Sequence, residues 1–139
     1  MTSSPSCSAA AAAARDVTGG RALDWHEACG WGLIAVNALA GAWALAAYRV
    51  AALRGRPMWL AVIVGQLLAF VQAFIGVALT SRYDYELDDM HALYGFSAII
   101  AVGILYSYRT SPFMRGKELL LYGFGSLFIM GLGLRNLVL

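Results

Sequence analysis

The sequence has few charged residues and few of the side chains that usually hold metals. Only 13% of its 139 residues are charged, whereas soluble domains carry about 25%. It contains two histidines and two cysteines, and two histidines alone cannot complete a structural zinc site, which normally has four ligands. A Cys-x-x-Cys-His sequence is missing, which argues against covalent c-type heme. No basic stripe with interleaved aromatic residues is present, so nothing indicates nucleic-acid binding.

The shortage of charge is concentrated in four long apolar segments. They cover about residues 25–48, 58–80, 90–108 and 119–137. Each has about 20 residues, which is enough for a helix to cross a hydrocarbon core of about 30 Å. The pattern predicts an all-α fold, an integral membrane four-helix bundle that occupies residues 23–139 as one domain.

The segment before the first predicted span is rich in Ser, Ala, Thr and Gly. We interpret residues 1–22 as a flexible N-terminal tail. Asp24 would then be the N-cap of the first helix, with Glu27 three residues later in the position of a capping box. Cys7 in this tail and Cys29 in the first span could form a disulfide, although two cysteines alone indicate this only weakly.

The charges of the loops predict the orientation of the bundle. The second loop, residues 81–89, is acidic, whereas the first and third loops are short and basic. Because basic loops stay in the cytoplasm, both termini are expected outside the membrane. The expected location is the plasma membrane of a prokaryote, with several membrane passes. The basic residues are Arg49, Arg54 and Arg56 in the first loop, and Arg109, Arg115 and Lys117 in the third.

The two histidines occur in two similar segments, which indicates an internal repeat. DWHEACGW covers residues 24–31 and DMHALYGF covers residues 89–96. Each begins a predicted outside-to-inside span that is followed by a basic loop and a return span. Two parallel helix-pair repeats imply a pseudo-two-fold axis along the membrane normal. That axis would place His26 and His91 at equal depth, facing each other across the bundle.

Two facing histidines suit the iron of a b-type heme, which takes an imidazole ligand from either side. A glycine one turn after each histidine would leave flat helix surface for the macrocycle. A histidine near a helix N-terminus is favoured in the neutral, ligand-ready form. The alternative is that the histidines are interfacial residues and the glycines serve helix packing alone. The candidate cofactor-binding residues are His26, His91, Gly30, Gly95, Gly76 and Gln72, with Arg82 and Arg135 as partners of the heme propionates.

The segment QAFIGVA at residues 72–78, followed by His91, resembles the heme A synthase family. In that family a helix with a Gln and a Gly precedes an outer loop and a heme-ligating histidine. The resemblance covers about residues 24–108 and implies a four-helix bundle in which His26 and His91 are the ligand pair. Typical members have eight spans, an outer-loop cysteine pair and an outer-loop Glu, which this chain lacks. The resemblance therefore leaves two roles open, heme modification and electron transfer.

Three functions from different classes follow from these patterns. The first is a heme b protein of the respiratory membrane that transfers electrons or modifies heme, so enzyme activity stays open. The second is a heme-free accessory subunit of a larger respiratory membrane complex. The third, a small transporter, is disfavoured because only Asn37, Gln66 and Gln72 lie deep in the predicted spans. The expected partners are the lipid bilayer and either such a larger complex or a second copy of the chain.

Overall fold

The computed structural model describes residues 7–138, and they form four long helices with short connections. The helices are α1 (Cys7–Arg49), α2 (Arg56–Tyr83), α3 (Asp89–Arg109) and α4 (Glu118–Val138). Single 3₁₀ turns at Ala51–Leu53 and Pro112–Met114 lie in the first and third connections, and the described part contains no strand. The predicted all-α class is therefore confirmed. Each of the four helices is long and apolar enough to cross a membrane.

Helix α1 begins at Cys7, well before the start that the sequence predicts at Asp24. It has 43 residues, which corresponds to about 65 Å at 1.5 Å per residue. The alanine run of residues 9–14 favours this extension because alanine has the highest helix propensity. Asp24 and Glu27 lie inside the helix, so the predicted capping box is wrong. Part of the predicted tail, residues 1–6, lies outside the described residues, and the flexibility of residues 7–22 stays a prediction.

The two cysteines cannot form the disulfide considered above within one chain. Cys7 and Cys29 are both free and both belong to α1. Their separation of 22 positions on one helix corresponds to about 33 Å. A disulfide requires the two Cα atoms to lie within about 7 Å.

The helices follow one another around the bundle in chain order. Helix α1 packs extensively against α2 and α4, and α3 packs against α4, whereas α2 and α3 make little contact. The short connections make sequential helices antiparallel neighbours. As a result α1 and α3 lie diagonally opposite each other, and the seam between α2 and α3 is the loosest in the bundle.

Small residues bring α1 close to its two neighbours. A Cβ atom added to Gly41 would lie 2.9 Å from the carbonyl oxygen of Gly123 in α4. One turn before Gly41, Asn37 donates hydrogen bonds to the carbonyl oxygens of Leu33, at 2.9 Å, and of Gly65 in α2, at 3.0 Å. The Asn37 amide nitrogen, deep in the first span, therefore has partners inside the bundle. Small side chains permit such close approach of membrane helices.

Large apolar side chains cover much of the outer surface of the bundle. Phe74 is 74% exposed, Phe96 is 72% exposed and Phe113 is 70% exposed. A water-soluble protein rarely exposes many such side chains together. Their outward position fits contact with the lipid bilayer.

The orientation in the membrane is predicted from charge and is tested by cysteine labelling. We expect Ser81→Cys, before the acidic loop, to react with a membrane-impermeant maleimide added to intact cells. Ser111→Cys, in the basic third connection, should react only after the cells are opened. Both variants need a background in which Cys7 and Cys29 are replaced by serine, so that each carries one thiol. Labelling of Ser111→Cys but not of Ser81→Cys in intact cells would mean that the orientation is inverted.

Candidate functional site: a histidine pair at a cavity between the helices

The two histidines meet between the diagonal helices α1 and α3. The Nε2 atoms of His26 and His91 lie 3.4 Å apart. Their ring centroids are separated by 5.7 Å, and the ring planes are tilted by 49°. A distance of 3.4 Å is long for a nitrogen hydrogen bond. The two imidazoles thus face each other with their Nε2 atoms and are only weakly bonded to each other.

His91 is positioned by the N-terminus of α3. The Asp88 side chain caps this helix, since its Oδ2 atom accepts a hydrogen bond from the backbone N–H of His91 at 3.1 Å. His91 is therefore in the first turn of α3. His26 is different because it lies far inside α1. The prediction that both histidines stand at helix N-termini is correct only for His91.

An amide side chain holds the α1 histidine from the neighbouring helix. Gln72 in α2 donates a hydrogen bond from Nε2 to the carbonyl oxygen of His26 at 2.9 Å, and the same nitrogen lies 3.3 Å from His26 Nε2. A Cβ atom on Gly30 would lie 3.2 Å from this amide nitrogen. Gly30 therefore makes room for Gln72, in addition to bordering the cavity described below.

A second amide makes the corresponding contact in the other helix pair. Asn136 in α4 donates from Nδ2 to the carbonyl oxygen of His91 at 3.3 Å. In each pair, then, an amide on the second helix binds the backbone of the histidine on the first. Sequence reasoning missed Asn136 and selected the neighbouring Arg135. The sequence signal that could have identified Asn136 is that it is an amide side chain in an otherwise apolar helix.

The histidines line a cavity of about 450 Å³, within the range of ligand-binding sites in proteins. Its wall is mainly apolar and comes from all four helices. Glu27 is the only charged side chain of the described chain in the lining. Of the residues selected from sequence, the cavity lining includes His26, Gly30, Gln72, Gly76, His91 and Gly95.

The two arginines selected as propionate partners do not line this cavity. Arg82 and Arg135 are both exposed, Arg82 in the last turn of α2 and Arg135 in that of α4. Their pairing with carboxylates stays a prediction, and it would require both side chains to turn toward the cavity. Thr80, Tyr94 and Asn136 supply further polar groups of the lining.

Several observations test whether a heme would fit between the histidines. An imidazole–metal bond is about 2 Å long, so an iron between the two Nε2 atoms would separate them by about 4 Å. The observed distance between the Nε2 atoms, 3.4 Å, is shorter, so heme binding would require the imidazoles to move apart and Gln72 Nε2, 3.3 Å from His26 Nε2, to move away. A Cβ atom on Gly95 would meet nothing within 4 Å, and one on Gly76 would meet only His26 Cε1, at 3.5 Å. Gly95 therefore borders open space, whereas Gly76 lies close against the His26 ring, and the residues fit the group.

Some polar atoms of the site have no protein partner. His26 Nδ1, Gln72 Oε1 and Asn136 Oδ1 are buried and make no hydrogen bond within the described chain. Buried polar groups are usually satisfied, so these atoms are left to bind water or a polar group of a ligand. No three His, Cys, Asp or Glu side chains among residues 7–138 come together as a metal site. A metal held by the two histidines would therefore need its other ligands from outside the described residues.

No family model, curated protein or solved structure matches the chain. The resemblance to the heme A synthase family thus depends on the residues quoted above. The histidine pair and its cavity are the features from which a function can be proposed.

Proposed function

We propose that the protein is a multi-pass membrane protein that binds one b-type heme between His26 and His91. The observation that carries this proposal is the opposition of the two Nε2 atoms at 3.4 Å. They come from diagonal helices at a cavity with glycine in its wall. His26 and His91 would hold the heme iron through their two Nε2 atoms, which this arrangement brings together.

The residues around the histidines have distinct tasks in this proposal. Gln72 and Asn136 hold the backbone of the two histidines through their carbonyl oxygens. Gly95 leaves open space for a flat ligand, and Gly76 lets the His26 ring lie close to α2. A bound heme would supply one-electron redox chemistry, and the low-polarity wall would keep water from the iron. Electron transfer in a prokaryotic respiratory plasma membrane is the role that needs one heme and no second heme as substrate.

Heme modification is the second role within the same proposal. It is supported by the resemblance of residues 72–78 and His91 to the heme A synthase family. It would need a second heme as substrate, and thus a partner chain or a second copy, since the cavity has one histidine pair. A chemically modified heme in the purified protein, identified by its mass, would favour this role over simple electron transfer.

A visible spectrum of the purified protein tests heme binding directly. We expect protein from heme-replete cells to show a sharp Soret band, with alpha and beta bands after reduction. A pyridine hemochrome assay should then give one b-type heme per chain. Absence of these bands, after addition of heme to the purified protein as well, would contradict the proposal.

The alternative is a heme-free accessory subunit of a larger respiratory membrane complex. The exposed N-terminal part of α1 favours it, because residues 7–18 are all exposed and extend the longest helix. Such an arm could bind a partner outside the membrane. In this case the protein would co-purify with a larger complex in mild detergent and would show no heme bands of its own.

A further inference from the structure

A second concave surface lies away from the histidines, on the outer side of α3 and α4. It is a groove of about 540 Å³. Leu105 of α3 and Gly125 of α4 form part of its floor, and a Cβ atom on Gly125 would overlap the Leu105 side chain. Ile104, Phe124 and Phe128 line it as well and are 50%, 63% and 58% exposed. The groove is therefore apolar and open toward the surface that contacts lipid.

One end of this groove carries a cation. Lys117, directly before α4, is the only charged residue of its lining among the described residues. Its Nζ atom lies 4.8 Å from the centroid of the Phe113 ring, a cation–π arrangement. Glu118 follows it in the sequence, but Lys117 forms no ion pair with this or any other described residue. The ammonium group is therefore available to an anion from outside the chain.

The length of the groove fits one leaflet of a bilayer. Its lining on the α4 side runs from Lys117 to Phe128, which corresponds to about 16 Å along a helix axis. One leaflet contributes about half of a hydrocarbon core of about 30 Å. A lipid with its headgroup at Lys117 would therefore place an acyl chain along the groove. A partner helix fits less well, because it would need a carboxylate at the level of Lys117.

We propose that this groove is a binding site for an anionic phospholipid. Its phosphate would bind Lys117, and one acyl chain would lie on Leu105 and Gly125 between Phe124 and Ile104. Basic groups between membrane helices on the cytoplasmic side recognise acidic lipid headgroups in this way. Arg115, exposed two positions before Lys117, would add to the attraction. The site is separate from the histidine cavity and shares none of its lining residues.

Native mass spectrometry of the delipidated full-length protein tests this site. We expect phosphatidylglycerol to bind more tightly than phosphatidylcholine, and Lys117→Gln to weaken the phosphatidylglycerol complex roughly fivefold. Lys117→Arg should keep the preference because it keeps the charge. Arg56→Gln is the matched control, since Arg56 lies at the same end of the bundle but outside the groove. It should leave binding unchanged.

Several outcomes would overturn the lipid site. Equal binding of the two lipids would remove the headgroup contact. Equal losses in Lys117→Gln and Arg56→Gln would mean diffuse attraction to a basic surface. Full displacement of the lipid by soluble glycerol phosphate would mean that the cation binds phosphate without the groove. A partner protein that displaces the lipid from the groove would assign the surface to that protein.

Discussion

His26→Ala and His91→Ala are each expected to abolish the low-spin heme spectrum. If both imidazoles bind one iron, neither can hold it normally alone. The double variant should therefore be little worse than either single variant. Residues that act as one unit show coupling energies of up to about 3 kcal/mol, roughly a hundredfold in affinity. Heme titration of the four proteins, followed at the Soret band, measures this coupling.

The structure allows these variants to be made without breaking the fold. Gln72 binds the carbonyl oxygen of His26, Asn136 binds that of His91, and Asp88 caps the backbone N–H of His91. All three contacts involve the backbone and survive replacement by alanine. The thermal stability of the ligand-free variants is thus expected to stay close to that of the parent protein.

A methionine variant and the relative effects of the two alanine variants further test the histidine pair. His91→Met should retain heme with an altered spectrum, because Met and His together also ligate heme iron. A heme-free accessory subunit would instead show small, independent effects of the two alanine variants. If only His91→Ala changes the spectrum, His26 is not a ligand, and a two-fold arrangement of the site is wrong.

The four helices could be predicted from sequence because their signals are local. Each apolar segment is bounded by charges, and every predicted span lies within one observed helix. The start of α1 could not be predicted in the same way. An alanine-rich segment favours a helix only slightly per residue. In the structure Gly19 packs near Tyr83 of α2, a long-range contact that no local pattern records.

The histidine pair could be anticipated, but most of its surroundings could not. Repetition of the motif indicated that His26 and His91 belong together. The choice between Arg135 and Asn136 depends on the rotation of α4, since neighbouring residues of a helix point about 100° apart. The positive charge of Arg135 suggested it as a partner of the heme propionates. In the structure the neighbouring Asn136 is the residue that points inward and contacts the backbone of His91. Hydropathy does not specify this rotation when most of a helix is apolar.

Gly95→Leu is expected to remove heme binding while leaving the fold stable. Gly95 borders the cavity, and an added Cβ would meet nothing within 4 Å. A leucine can therefore enter the cavity without a clash and occupy the space of the ligand. Replacing a glycine inside a helix also stabilises the helix by about 0.5–1 kcal/mol. The ligand-free variant should thus unfold at the same temperature as the parent or slightly above it, without a Soret band.

Two other glycines make this experiment decisive. Gly131 in α4 is exposed, and its added Cβ also meets nothing within 4 Å, so Gly131→Leu should keep both spectrum and stability. At Gly76 an added Cβ lies 3.5 Å from His26 Cε1. A leucine at this position displaces the His26 imidazole. Gly76→Leu should therefore lose both the heme spectrum and some thermal stability. A full heme spectrum in Gly95→Leu would mean that the ligand binds elsewhere, because one leucine in this wall leaves a macrocycle no room beside His91.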